Sequence, residues 1–258
     1  MLRCPGSHHM TMRVPEIFFC PRCGQECEIW RDEGQGRCLA CRETISQRDA
    51  LAHRLQDSRK RAARLEGDVV MAVCESPDIT GRILYFERYE SVVPVSSMEH
   101  HSRFKEACSA CHCYGKNLGC PPFSPAFELH TQKMETARVL CLRLPLEYFE
   151  GEHPQEAHRL CFEQVQALLT KELMEARNQG YTVAGAGPCR GCKTCTAAGG
   201  KTRCHRPEAR IFSLESLGVN LVSLARKCFR VNLQWSRDGD TALFVSALGA
   251  IFFRGDAA

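Results

Sequence analysis

The sequence has no apolar run long enough to cross a bilayer, so no spanning helix is expected. Residues 1–15 contain no apolar h-region and do not read as a secretory signal; they are set aside for the fold. The G-x-x-x-x-G-K-S/T phosphate loop and the G-x-G-x-x-G dinucleotide fingerprint are both missing. Gly185-Ala186-Gly187 is a lone fragment that runs into Cys189. There is no H-E-x-x-H pair, no C-x3-C-x2-C of the radical enzymes, and nothing marks a nucleophile with its base. Internal repeats and low-complexity stretches are lacking too. Charge of one sign is also in short supply. Lys and Arg number 34 against 30 Asp and Glu, and a net +4 permits a nucleic-acid contact without arguing for one.

What the chain has is cysteine: 18 in 258 residues. Thirteen fall in three tight groups, and five (Cys4, Cys74, Cys141, Cys161, Cys228) stand alone. Disulfide-rich chains are usually short and carry a signal. In a long unsignalled chain, repeated C-x2-C steps point to metal in a reducing cytoplasm. Cys141 and Cys161 lie in apolar-patterned segments and read as small core residues.

The first group is Cys20-Pro21-Arg22-Cys23-Gly24 and Cys38-Leu39-Ala40-Cys41, two C-x2-C steps with fourteen residues between them. Each such turn aims two thiolates at one ion, and two turns complete a tetrahedron, which suits structural zinc. So short a stretch cannot bury a core of its own, and metal binding would supply its stability. Cys27 is an extra thiol that competes as a ligand.

The second group is Cys108, Cys111, Cys113 and Cys120, the last followed by Pro121-Pro122 in the manner of the C-P step of ferredoxin-like runs. The third is Cys189-x2-Cys192-x2-Cys195 with Cys204. Three thiols at equal short spacing in one loop wrap three corners of a cubane, with a fourth from further along, so iron–sulfur is preferred to zinc there. Gly185, Gly187, Gly191, Gly199 and Gly200 allow close backbone approach to cluster sulfurs. Between 188 and 210 six bases (Arg190, Lys193, Lys201, Arg203, Arg206, Arg210) face one acid, Glu208, as a buried anionic centre would require. His112 and His205 abut these thiols and are within reach of coordinating, but they, like His100 and His101, read as outer hydrogen-bond donors or solvated side chains before ligands.

Along the chain, residues 16–42 form a zinc-ribbon-like module. Residues 43–66 read as a connecting helix capped by Ser46 with Asp49 and stopped by Gly67. Its arginines and Lys60 read as a solvated face. Residues 68–258 form a cysteine-rich metal-binding domain of mixed α/β (α+β) class. Strands are expected at 69–74, 83–86, 139–144, 181–184 and 242–253. A helix is expected at 154–179, with Phe162, Val165, Leu169, Leu173 and Ala176 on its core face and Gly180 as its stop, and another near 213–228.

The second and third groups together resemble a family of predicted metal-binding proteins, a cysteine-rich domain of unknown function of anaerobic bacteria and archaea. The residues that carry the likeness are Cys108, Cys111, Tyr114-Gly115-Lys116, Cys120-Pro121-Pro122, Cys189, Cys192, Cys195 and Cys204. They continue through Pro207-Glu208, Ser213-Leu214-Glu215 and Gly218, and the likeness spans about 80–253. Cys113, His205 and Leu214 depart from the family pattern, and the ribbon and helix look like additions to the family core. The resemblance implies metal, with iron–sulfur preferred, and supplies no reaction.

The leading expectation is therefore a protein with one or two [4Fe-4S] clusters plus zinc, acting in electron transfer or cluster-dependent redox chemistry with a redox protein partner. The second group leaves two forms open: a complete cluster that uses Cys113, or a three-cysteine cluster with an open iron, which would make the chain an oxidoreductase component. The rival expectations are a zinc-only module that docks a protein or nucleic acid, and a carrier of metal or clusters.

Overall fold

The structure is a computed structural model that describes residues 16–20, 22–29, 35–46, 63–65, 69–149, 151–234 and 242–255. The N-terminal module is two antiparallel hairpins, each closing on a C-x2-C turn. β1 (Glu16–Phe19) pairs with β2 (Glu26–Ile29) around Cys20 and Cys23, and β3 (Gln35–Arg37) pairs with β4 (Thr44–Ser46) around Cys38 and Cys41. β4 carries the module to residue 46, four beyond the expected boundary. Ile45 is buried among the cysteines, and Ser46 is the last residue of β4. The connecting helix was expected over 43–66; residues 47–62 lie outside the described residues, and the described parts on either side, Thr44–Ser46 and Ala63–Leu65, are strands paired in sheets, not helix.

The main body is a seven-stranded sheet in the order β10-β9-β11-β8-β7-β6-β5. Its strands are β5 (Ala63–Leu65), β6 (Val69–Pro77), β7 (Ile83–Pro94), β8 (Thr136–Pro145), β9 (Thr182–Gly185), β10 (Phe212–Ser213) and β11 (Phe244–Phe253). All neighbours are antiparallel except β9 and β10. The central strand β8 reads Val139-Leu-Cys-Leu-Arg-Leu144 because both of its faces are covered. Leu140, Leu142 and Leu144 pack with the stripe of α3 (Pro154–Asn178), where Val165, Leu169 and Leu173 are fully buried. Val139 and Cys141 face the other layer, with Leu214, Leu217, Leu224 and Phe229. Cys141 and Cys161 are buried core residues, as their apolar surroundings suggested.

Helix α3 ends where Gly180 takes φ +93° and donates to Arg177 O, while Tyr181 N–H reaches back to Ala176 O, a Schellman stop. The single helix expected near 213–228 is two. α4 (Leu214–Leu217) stops at Gly218 with φ +91°, and α5 (Leu221–Phe229) restarts with Asn220 accepting from Ser223 N–H. The interruption follows from contact: a Cβ at residue 218 would lie 2.9 Å from His101 O, so the turn there must be glycine to let the 98–106 segment pass. Among the described residues no helix is long and apolar enough to cross a membrane.

Candidate metal centres

In the N-terminal module the tight turns are set by Gly24 N–H to Cys20 O (2.8 Å) and Arg42 N–H to Cys38 O (2.9 Å). They bring Cys20 Sγ to 3.5 Å from Cys41 Sγ and Cys23 Sγ to 3.5 Å from Cys38 Sγ, with all four sulfurs within 4.8 Å of one another. A tetrahedron of thiolates at zinc–sulfur bond length has edges of about 3.8 Å, so these four side chains can close on one ion with little movement. Backbone N–H groups, that of Cys41 first, draw the Cys38 thiol down to about 6 despite its burial. Cys27 stands outside the quartet, its Sγ directed at Gln25 O (3.4 Å).

The second group follows a short helix, α1 (Ser102–Glu106), capped by His101 Nδ1, which accepts from Arg103 N–H. A run of turns then folds residues 107–124 onto themselves, through Cys111 N–H to Cys108 O, Tyr114 N–H to Cys111 O and Cys120 N–H to Asn117 O. The Pro121-Pro122 bond is cis, and the chain then enters α2 (Phe127–His130). Burial, and then the neighbouring thiols, push Cys120 upward, with Cys113, Cys111 and Cys108 all within electrostatic reach of it. Burial likewise raises Cys108 and Cys113 to about 11. His112 is closer than an outer position requires: its Nε2 lies 3.1 Å from Cys113 Sγ, and with Cys111 the three donors fall within 4.8 Å.

The third group hangs from α3. Gln166 Nε2 donates to both Ala186 O (2.7 Å) and Pro188 O (2.9 Å), fixing the backbone that leads into Cys189. Arg177 donates to Pro207 O (3.0 Å) and to Arg210 O, fixing the segment after Cys204. A cleft of about 220 Å³ follows this seam, lined among others by Gln166, Gly187, Cys189, Arg190, Arg206 and Ile211. Burial, then the nearby Cys204, raises Cys192. These four thiols are partly exposed, so the centre lies near the surface and not deep inside as the base count suggested. The bases have other work as well: Arg190 meets Glu163, Arg206 meets Glu208, and Arg210 lies over the Phe212 ring. His205 Nε2 is 3.7 Å from Cys192 Sγ. Unlike the N-terminal quartet, no three donors of this group lie within 4.8 Å of one another.

The two groups meet. The backbone N–H of Leu118 donates to Cys195 Sγ (3.3 Å), and Asn117 Nδ2 donates to Cys189 O (3.0 Å) while its Oδ1 accepts from Gly119 N–H (2.8 Å). Sequence spacing could not show this, because the partners are more than seventy residues apart. It also passed over Glu215 as a site residue. This side chain, on α4, acts electrostatically on both Cys108 and Cys120 and is raised by burial.

A family model described as "Predicted metal-binding protein (DUF2284)" matches residues 91–248, which takes in the second and third groups and leaves out the N-terminal module. No curated protein and no solved structure matches the chain.

Proposed function

This chain belongs to that family of predicted metal-binding proteins, and from this premise we propose that it is an iron–sulfur protein of electron transfer or cluster-dependent redox chemistry. Cys189, Cys192, Cys195 and Cys204 hold one [4Fe-4S] cluster. Cys108, Cys111 and Cys120 hold a second, whose fourth position falls to Cys113 or to a donor that is not cysteine. Cys20, Cys23, Cys38 and Cys41 hold structural zinc. The observation that carries the reading is the Leu118 N–H to Cys195 Sγ bond, which joins the two cysteine loops and places a backbone donor on a ligand sulfur.

Donor chemistry supports it as well. Soft thiolates select zinc or iron–sulfur centres over hard cations. Thiolates of a cubane each bind a different iron and so stand further apart than thiolates that share one ion. The wider spacing of the third group beside the tight N-terminal quartet accords with that difference. Such clusters, when bound, supply one-electron transfer at potentials set by hydrogen bonds and exposure. The chain's own part is to shape the loops, direct N–H groups at sulfur and keep one centre near the surface, where a redox protein in a reducing cytoplasm can reach it.

The test is anaerobic purification with iron, sulfide and zinc measured per chain, followed by electron paramagnetic resonance of the reduced sample. The expected result is a brown protein with about one zinc and up to eight iron per chain, counting four per cubane. A colourless protein holding only zinc would establish the zinc-only module instead. Iron lost on mixing with an apo-acceptor would point to a carrier.

A further inference from the structure

The second group's loop brings together a donor set that cysteine spacing alone does not mark. Cys113 Sγ lies 3.1 Å from His112 Nε2, and Cys111 Sγ joins them, so that all three donor atoms fall within 4.8 Å of one another. Among the described residues such convergence occurs in two places, here and in the N-terminal quartet. Cys108 and Cys120 belong to neither set.

Short turns fix the backbone that presents the three side chains. Tyr114 N–H donates to Cys111 O (3.0 Å) and Lys116 N–H to Cys113 O (3.1 Å), so residues 111–116 run as overlapping turns. Gly115, at φ +68°, ends the first of them, and its N–H reaches Pro121 O (2.9 Å) at the far end of the loop. Contacts outside the trio hold the loop as well. Lys105 Nζ donates to Ser124 O (2.5 Å) and Pro125 O (3.2 Å), and Ser124 Oγ donates to Ser216 O (2.7 Å). The donors therefore meet on a loop that is already in place.

A thiol beside an imidazole can be a hydrogen bond and no more. The third donor makes it a ligand set. Two sulfurs and a nitrogen on one tetrahedral ion stand about 3.6–3.8 Å apart at ordinary zinc–ligand bond lengths, so small side-chain rotations close the trio on an ion. Two thiolates and an imidazole suit zinc and its thiophilic neighbours, not hard cations. Cys111 and Cys113 are half-buried and His112 is exposed, so an ion enters from solvent.

We infer that Cys111, His112 and Cys113 form a mononuclear site for a thiophilic divalent ion such as zinc, with three protein donors and a fourth place left to an exchangeable solvent ligand. Binding releases the thiol protons and moves no electron. Cys111 is shared with the cluster set, so this ion and a cluster on Cys108, Cys111 and Cys120 exclude one another. The site goes beyond the iron–sulfur reading and does not depend on it, since it describes the loop before a cluster is built.

The experiment uses the full, cluster-free chain, 15N-labelled and kept reduced, with 113Cd as the probe ion. Each filled site gives its own cadmium resonance. Wild type should give one that couples to a histidine nitrogen and correlates with the β-protons of two cysteines. H112A should lose that coupling and C113S the resonance itself, while C108S, C120S and H205A keep both. His112 is exposed, so H112A leaves the packing of the domain alone. Three results would each overturn the site: a wild-type spectrum in which no cadmium couples to a histidine nitrogen, a coupling that survives in H112A, or a resonance lost in C108S and C120S but kept in H112A. The labelled wild-type measurement decides it even if a cysteine variant does not fold. Cluster formation is read separately, from iron and sulfide per chain after reconstitution, so the two readings fail independently.

Discussion

Gly119 lies so close to Cys189 that a Cβ added to it would stand 2.6 Å from the Cβ of Cys189 and 2.8 Å from Ile211 O. Neither obstacle is the loose end of a flexible side chain, so a larger residue must push the two cysteine loops apart. Gly119→Ala should therefore destabilise the domain by about 1–3 kcal/mol, the usual range for overpacking. It should also lower iron retention at both main-domain groups while zinc at the N-terminal quartet stays. Thermal unfolding together with metal per chain checks this. Wild-type iron in a destabilised variant would mean that the two loops hold their centres independently.

The quartet and the second group should differ in how their metal affinity depends on pH. Burial first, then neighbouring charge, raises Cys108 to about 11, so its thiol is protonated at pH 7 and must lose its proton to bind metal. In the quartet, against the pull of the Glu43 N–H, burial and the neighbouring thiols raise Cys41 to about 12. But Cys38, drawn down to about 6 first by the Cys41 N–H, is already a thiolate at pH 7, whereas Cys108, Cys113 and Cys120 are all raised. With zinc as the probe ion, calorimetry in buffers of different ionisation enthalpy should show more protons released per ion at the second group. Affinity there should rise by about ten-fold per pH step for each such proton. A C20S/C192S chain leaves the second group, and a C120S/C192S chain leaves the quartet. For the metal-free fold the sign is set by the raised value. The contribution from Cys108 is complete below the unfolded thiol range of about 8.5 and is lost as pH rises through about 11. Equal proton release at the two sites would contradict the assignment of their environments.

Much of the scaffold was legible in the sequence because burial leaves a period. The stripe Val165, Leu169, Leu173 gave α3, and the unbroken apolar run of β8 reflects a strand covered on both faces. Gly180 announced the stop of α3, but Gly218 was read through, because its need for a left-handed turn arises from His101, more than a hundred residues earlier. The same limit hid the site's geometry. Spacing offers Cys108–Cys120 and Cys189–Cys204 as candidate donor sets, but not that Leu118 would donate to Cys195. Glu215 was visible only as one letter of the Ser213-Leu214-Glu215 segment. Its covered, unpartnered oxygen is a fact of packing.

Replacing single cysteines should divide the chain into separable sites. Cys192→Ser removes a thiol of the third group and should lose the iron and sulfide of that group while zinc at the quartet stays. Cys20→Ser removes a fully buried member of the quartet. It should unfold only the N-terminal hairpins, because their small core is made of the cysteines and Ile45 and gains its stability from the ion. Circular dichroism and metal per chain check both. Global unfolding of Cys20→Ser would show that the hairpins and the sheet fold as one unit.

Gln166 offers the sharpest test of how the third loop is held. Its amide donates to Ala186 O and Pro188 O and accepts from Arg190, so one α3 side chain fixes the backbone on the approach to Cys189. Gln166→Ala leaves two carbonyls without that donor and releases Arg190 to Glu163 alone. At about 0.5–1.5 kcal/mol for each of the three hydrogen bonds lost, the domain should lose about 1.5–4.5 kcal/mol. That is too little to unfold a domain of ordinary stability. The loop should feel it more than the sheet does, since the sheet's contacts with α3 run through Val165, Leu169 and Leu173, which remain. The expected outcome is faster loss of iron from the third group to a chelator, with the second group's resonance signal unchanged. Equal acceleration at both groups would show that strain passes across the Leu118 to Cys195 bond, and the two loops would then behave as a single rigid unit.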